Sequence, residues 1–205
     1  MVIHDAAVIG YPEALALQER LVGEVQQGGE EALILLEHTP VYTIGAGGDS
    51  GNLLDPAITA HRVNRGGDVT YHGPGQLVGY PILDLGRRGR DLHRYLRFLE
   101  LFLIEMCGSM GVAGFTVPGK TGVWTPGGKI AAIGVGVRRW VSMHGFCLNV
   151  APDISPFQSI NPCGMRDCRI TSISLERGET VAVGELKKLA AARFETLLNT
   201  HLPSR

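Results

Sequence analysis

The sequence predicts an α+β fold, an α/β sandwich in which helices flank a mixed β-sheet, and three observations carry that prediction. Short β-favouring apolar runs recur between Gly- and Pro-rich turns, as at Ala32–Leu36, Val41–Ile44, Leu77–Leu83 and Val141–Val150. Three longer stretches space their apolar residues at three and four, the period of a helix packed along one side. The 205 residues, 44% hydrophobic and 19% charged, suit one globular domain spanning 1–205, with no internal repeat and no highly charged, disordered stretch.

After an apolar start at Ala6–Ile9, Pro12 opens a helix in which Leu15, Leu21, Val22 and Val25 recur at helical spacing, and Gly28-Gly29 ends it. Ala32–Leu36 reads as a buried strand, Val41–Ile44 as a second, and Gly45–Gly51 as a flexible loop able to approach a ligand. A Gly-rich turn from Arg65 leads to strands at Asp68–Tyr71 and Leu77–Leu83. Asp91 is placed to cap a helix whose apolar side is Leu92, Leu96, Leu99, Leu103 and Met106, with Gly108 and Gly111 at its end. Gly122–Thr125, Lys129–Arg138 and Val141–Val150 are expected strands, joined by turns at Pro126–Gly128 and around Arg138–Val141. Ala151–Arg169 has three prolines and no period, a long loop of the kind that is more often functional than idle. Ile170–Ser174 is expected to be a strand, and Gly184–Leu198 a final helix presenting Leu186, Leu189, Phe194 and Leu197.

A formal net charge of −1 argues against a surface built to neutralise phosphates, so no nucleic-acid partner is expected. Met1–Ala14 lacks the order of a signal peptide, and no apolar run reaches the roughly 18 to 20 residues that span a bilayer. A cytoplasmic protein with no membrane partner is the expectation. Four cysteines are too few for a disulfide scaffold in a chain of this size, and a reducing compartment keeps them as thiols.

Several motifs compete for the chemistry. Gly114–Thr121 (GFTVPGKT) matches the phosphate-loop pattern, but the following GVWTPGG favours a strand and a turn where that motif needs a helix. Gly45-Ala46-Gly47 and Gly134-Val135-Gly136 are mere fragments of dinucleotide patterns. His144, Cys147, Cys163 and Cys168 are the right residue types for zinc, yet strict strand alternation puts His144 and Cys147 on opposite faces, and no metal is expected. Cys107 and Cys147 read as small buried apolar residues. Cys163 differs: Pro162 and Gly164 flank it in a polar loop, where a sharp turn exposes the sulfur. An ordinary thiol with a pKa near 8.5 is only a few per cent thiolate at neutral pH, so a reactive one needs a cation or base nearby. Lys129, following Gly127-Gly128, is a candidate partner, although a lysine at a strand end is by composition more often solvated.

Arg65–Tyr80 (RGGDVTYHGPGQLVGY) resembles, residue for residue, the signature R-G-G-x-x-T-x-H-x-x-G-Q of the lipoyl(octanoyl) transferase family. LEHTPVYTIG, KTGVW, GGKIAAIGVGVRRWVSMHGFCLNV, INPCGM and TSIS resemble that family's other blocks in the expected order, so the likeness spans about Leu33 to Leu175. The resemblance implies a fold similar to the biotin and lipoate protein ligase catalytic domains, and no cofactor. It implies transfer of an octanoyl group from octanoyl-acyl carrier protein to a lysine on lipoyl domains of 2-oxoacid dehydrogenases and on the glycine-cleavage carrier protein. By position it makes Cys163 the thioester-forming nucleophile and Lys129 its partner. The acyl-binding stretches become Arg65, Gly66, Gly67, Asp68, Val69, Thr70, Tyr71 and His72; Ala132, Ile133 and Gly134; and Gly145, Phe146 and Cys147. Cys147 departs from the alanine expected there but remains small.

On this reading Arg65-Gly66-Gly67 brings backbone N–H groups and a guanidinium to the substrate, and His72 orients the loop or the thioester. Burying an eight-carbon chain contributes about 5 kcal/mol, so an apolar tunnel is expected to set chain-length preference. Arg90, Arg94 and Arg97 recur at helical spacing and read as a solvated face, docking of an acidic carrier being the alternative. The main enzymatic rival is an ATP-dependent ligase that activates a free acid; a non-catalytic binding module is the other.

Overall fold

The computed structural model describes residues 1–204, beginning with strand β1 (Val2–Ile9) and helix α1 (Tyr11–Gln26). Pro12 stands in the first turn of α1, where its missing N–H has no partner to lose, and Gln18, Leu21, Val22 and Val25 are buried along one side. Strands β2 (Ala32–His38), β6 (Gln76–Ile82), β10 (Val141–Asn149), β9 (Gly128–Arg138), β8 (Lys120–Thr125) and β7 (Phe115–Val117) complete a seven-stranded sheet in the order β1-β2-β6-β10-β9-β8-β7. Only β1 and β2 run parallel; every other pair is antiparallel. A second, three-stranded sheet has β3 (Val41–Ile44) between β4 (Ala60–Arg62), parallel to it, and β5 (Val69–His72), antiparallel. This is the mixed, helix-flanked α+β architecture expected.

Strand alternation distributes the core over both faces of the large sheet. Leu33 and Leu35 of β2 turn toward helices α2 (Leu92–Ser109) and α4 (Val183–His201), where Phe98, Phe102 and Phe194 form the larger core. Ile34 and Leu36 turn the other way, against Leu21, Val22 and Val25 of α1. Because both faces are covered, β2, β6 and β10 are buried almost throughout, and the polar residues Gln76, Ser142, His144 and Asn149 are buried with the apolar ones.

Caps and turns fix the element ends. Asp91 accepts from Arg94 N–H at the start of α2, as its position predicts, but Leu92 is exposed and does not join the apolar side. The β9–β10 hairpin closes through Arg139 and Trp140, both at positive φ (52° and 64°), the left-handed pair of a two-residue primed turn made without glycine. Two short strands, β4 and β7, carry too few apolar residues to announce themselves. The strand expected at Ile170–Ser174 is corrected: only Ile170 bridges the sheet, at Lys129, and Ile173–Arg177 is a helical turn, α3. Ser172 accepts from Leu175 N–H and Gly178 ends the turn in the left-handed region, so capping chemistry outweighs the β-branched run. No helix among the described residues is long and apolar enough to cross a membrane.

Candidate active site

The loop bearing Cys163 is fastened to its neighbours by polar contacts. Leu54 N–H donates to Ser159 O (2.9 Å) and Asn161 N–H to Asn52 O (2.8 Å). Asp68 holds Asn52 in turn, its carboxylate accepting from Asn52 Nδ2 (2.8 Å) and from the N–H groups of Asp49 (3.1 Å) and Val69 (2.7 Å). At the tip of the loop Cys163 adopts φ 56°, ψ 28°, which costs an L-residue about 1 to 2 kcal/mol and which these contacts sustain. Cys163 is partly exposed there.

Lys129 reaches that sulfur from the large sheet. The β8–β9 pairing slips between Val123, opposite Ala131, and Trp124, opposite Lys129, leaving Ile130 as an extra residue. Ile130 and Ala131 consequently both sink into the core beneath α2 and α4, and the bulge turns Lys129 away from it. The Lys129 backbone is pinned by its N–H donating to Arg169 O (2.7 Å) and its carbonyl accepting from Thr171 N–H (3.1 Å). Its side chain is 3% exposed, which rules out the solvated strand-end alternative, and Nζ lies 3.0 Å from Cys163 Sγ. The Trp124 ring stands 5.6 Å from the same ammonium.

A narrow cavity runs inward from Cys163 between the two sheets, and most of the predicted binding stretches line it: Arg65, Gly67, Asp68, Thr70 and His72 from one side, Ala132–Gly134 and Gly145–Cys147 from the other. A smaller cavity beside it contains Lys129 and shares Thr70, Ala132, Cys147 and Cys163. Alternation along β5 removes two predicted residues from the main cavity. Val69 and Tyr71 face Ile44 and Phe157 on the far side of the small sheet, Tyr71 touching only the smaller cavity. Gly66 is used structurally, its N–H donating to Val135 O at 2.8 Å. Phe146 borders the cavity but sends its ring to the opposite face, 5.5 Å from Phe102.

The predicted role of Arg65 also changes. Its guanidinium donates to Gly66 O (2.9 Å), Thr43 O (3.1 Å), Thr43 Oγ1 (2.7 Å) and Asp68 O (2.9 Å), so its hydrogen bonds shape the loop. It is buried with no carboxylate within ion-pair distance among the described residues, and it borders the cavity. Gly134 makes room for it: a Cβ there would meet Arg65 Cδ at 3.0 Å and Gly66 O at 3.0 Å.

The inner end of the cavity is walled by residues that sequence reasoning missed. Tyr11 and Tyr80 line it; Tyr80 Oη and His38 Nε2 are 2.7 Å apart, and His38 Nδ1 lies 3.1 Å from Ile9 O. His72 and His144 share the wall, with His144 Nε2 2.8 Å from Asn64 Oδ1. Tyr11 Oη and His72 Nδ1 are buried with no hydrogen-bond partner among the described residues. Burial drives these groups toward their neutral forms: His144 is pushed down to about 4, with Arg65 adding to the effect, His72 falls well below the ordinary histidine value, and Tyr11 is pushed up to about 12. The positions of Tyr11 in α1 and His38 at the end of β2 carry no local signal; only the tertiary packing reveals them.

The opposite-face argument for His144 and Cys147 fails, because φ 54° at His144 breaks the alternation and both line one cavity. Cys107 and Cys147 are buried thiols, as expected, and burial raises both, Cys107 to about 12. Cys168 is half-buried and raised by burial, with Lys129 pulling the other way. GFTVPGKT forms the β7–β8 hairpin with no helix after it, which removes the setting of a phosphate loop. Of the arginine face, Arg94 donates to His201 O and Arg97 pairs with Glu100, while Arg90 lies before α2.

A family model described as the lipoyl protein ligase A/B catalytic domain matches residues 10–195. An octanoyltransferase of Citrifermentans bemidjiense is 72% identical over 203 residues, 99% of this chain and 100% of that protein. The chain belongs to the octanoyltransferase family. The chain shares its fold with more distant proteins: a lipoate-protein ligase A bound with ATP superposes with a TM-score of 0.78 at 17% identity, covering 97% of this chain and 85% of that one. A biotin protein ligase from Aquifex aeolicus gives 0.58 at 12%, covering 98% and 70%. This octanoyltransferase-family chain is an acyltransferase. Its pair of a partly exposed cysteine and a buried amine beside the cavity suits attack on an acyl carbonyl.

Proposed function

We propose that this protein, acting as one catalytic domain over residues 1–205 in the cytoplasm, moves an octanoyl group from octanoyl-acyl carrier protein to a specific lysine of lipoyl-domain proteins through a thioester on Cys163. The observation that carries the reading is the 3.0 Å approach of Lys129 Nζ to Cys163 Sγ at the mouth of the cavity. The family and the names of its members support the acyl group. The cavity between Cys163 and Tyr11 is the proposed acyl site, where burial of the chain contributes about 5 kcal/mol.

In the first step the Cys163 thiolate, stabilised by the adjacent Lys129 ammonium, attacks the donor's thioester carbonyl. The new Cys163 S–C bond forms, the donor C–S bond breaks, and the departing thiolate takes a proton from Lys129. One thioester replaces another, so the step is nearly isoenergetic. In the second step the acceptor lysine's neutral amine attacks the acyl-enzyme and passes its proton to Lys129; the C–S bond breaks and Cys163 leaves as a thiolate beside the restored ammonium. The buried charge of Arg65 adds positive potential over the same carbonyl.

Incubation with octanoyl-acyl carrier protein and an apo lipoyl domain, without nucleotide, tests the reading against the ATP-dependent ligase. Acylation of the lipoyl domain and parallel double-reciprocal lines for the two substrates are expected. Strict dependence on ATP contradicts it.

A further inference from the structure

The lysine at the site needs help that its own element does not supply. Four rotatable bonds separate its amine from the backbone, and freezing a lysine side chain costs about 1.5 to 2 kcal/mol of conformational entropy. Part of the constraint comes from Gly122 on β8. A Cβ at that position would lie 2.5 Å from Ala131 O, 2.8 Å from Lys129 Cε and 3.4 Å from Nζ, so the end of the lysine and the neighbouring strand both rest against bare backbone. Gly122 also has φ 126°, which an L side chain rarely adopts.

Gly122 is anchored from the opposite layer. Its N–H donates to Glu100 Oε1 at 3.2 Å, and Glu100 belongs to α2, where it is 1% exposed beside Phe98, Leu99, Phe102 and Leu103. Glu100 Oε2 lies 2.5 Å from Arg97 Nη1, an ion pair and not an aligned hydrogen bond. A carboxylate on the core side of a helix is costly to desolvate, and an apolar residue would fill the space more cheaply. Its one hydrogen bond to the sheet goes to the backbone on which the lysine rests.

We propose that Glu100 and Gly122 are positioning residues for Lys129: the buried carboxylate fixes the Gly122 backbone, and the missing side chain at Gly122 forms the slot that holds the amine against Cys163. The proposal rests on Lys129 and Cys163 being the reacting pair. Neither residue lines the two cavities beside Cys163. The hydrogen bond carries the effect, so an uncharged acceptor of the same shape serves equally.

Alkylation of Cys163 by iodoacetamide, followed by peptide mass at pH 7 and pH 9.5, tests this alongside thermal unfolding. Glu100→Gln keeps the neutral-pH rate within about twofold of wild type. Glu100→Leu, which suits the surrounding core, lowers it about tenfold at pH 7 but returns it to the wild-type rate at pH 9.5, where an ordinary thiol is already mostly ionised. An unchanged pH 7 to pH 9.5 ratio in folded Glu100→Leu overturns the proposal and makes Glu100 a packing anchor. Equal losses in Glu100→Gln and Glu100→Leu overturn it in favour of a charge effect. Should wild-type Cys163 react no faster at pH 7 than a free thiol, the Lys129–Cys163 pairing fails and this proposal with it.

Discussion

The two faces of the seven-stranded sheet are built from the same strands and do different work. Toward α2 and α4 lies an apolar core of leucines and aromatics, Leu33, Leu77, Phe98, Phe102, Phe146 and Phe194 among them. Toward α1 and the small sheet, Tyr80 by strand alternation and His144 by its positive φ join Tyr11, His38, Arg65 and His72 around the cavity. A strand's period of two lets one stretch of sequence serve both, since Phe146 packs the core while Cys147 lines the cavity. The cavity face also carries the apolar packing of α1, but the polar cluster and the aromatic core lie on opposite sides of the sheet, and substitutions in the two should behave differently.

The largest effect is expected on the cavity face. Cys163→Ala abolishes acyl transfer, by more than about a thousandfold, and Lys129→Met lowers it by about 10² to 10⁴, while the urea midpoint of Cys163→Ala stays near wild type. A comparable loss of stability in Cys163→Ala would erase the distinction. On the other face Phe102→Ala costs about 3 to 5 kcal/mol in urea titrations, because its fully buried ring contacts Phe146 and Phe194, yet activity per folded molecule persists.

Acidity sharpens the contrast, since the buried histidines all lie on the cavity face. His38, His72 and His144 have depressed values, so the unfolded chain binds protons below about pH 6.5 that the folded chain refuses. Their contribution is complete above that pH and is lost as pH falls; for His144 the loss runs down to about 4 and amounts to about 3 kcal/mol. Urea midpoints measured from pH 7 to pH 4 should fall, and His144→Gln should flatten the slope. The smallest effect belongs to Cys147→Ala, expected to change stability by about 1 kcal/mol or less and to leave transfer intact, as total activity and urea midpoint will show.

The sequence displayed the elements whose local chemistry agrees with their packing. Asp91 caps α2, Pro12 begins α1, and the long apolar strands lie where their runs end. Cys163 and Lys129 were legible through flanking turn residues and family blocks, although 34 positions separate them. What stayed hidden depends on contacts made at a distance. The bulge at Ile130 that aims Lys129 needs β8 opposite, positive φ at His144 overrides alternation, and Ser172 with Gly178 makes a helical turn of an apparent strand. Tyr11, His38 and Tyr80 meet only when α1 folds over β2 and β6.

The central claim is that the acyl group rests on one sulfur. Intact-mass analysis after mixing the protein with octanoyl-acyl carrier protein alone measures it directly. The account predicts a single octanoyl adduct, released by neutral hydroxylamine, mapped to Cys163 and lost in Cys163→Ala. Full transfer to a lipoyl domain by Cys163→Ala, or a wild-type enzyme that turns over with no adduct on Cys163, would contradict it.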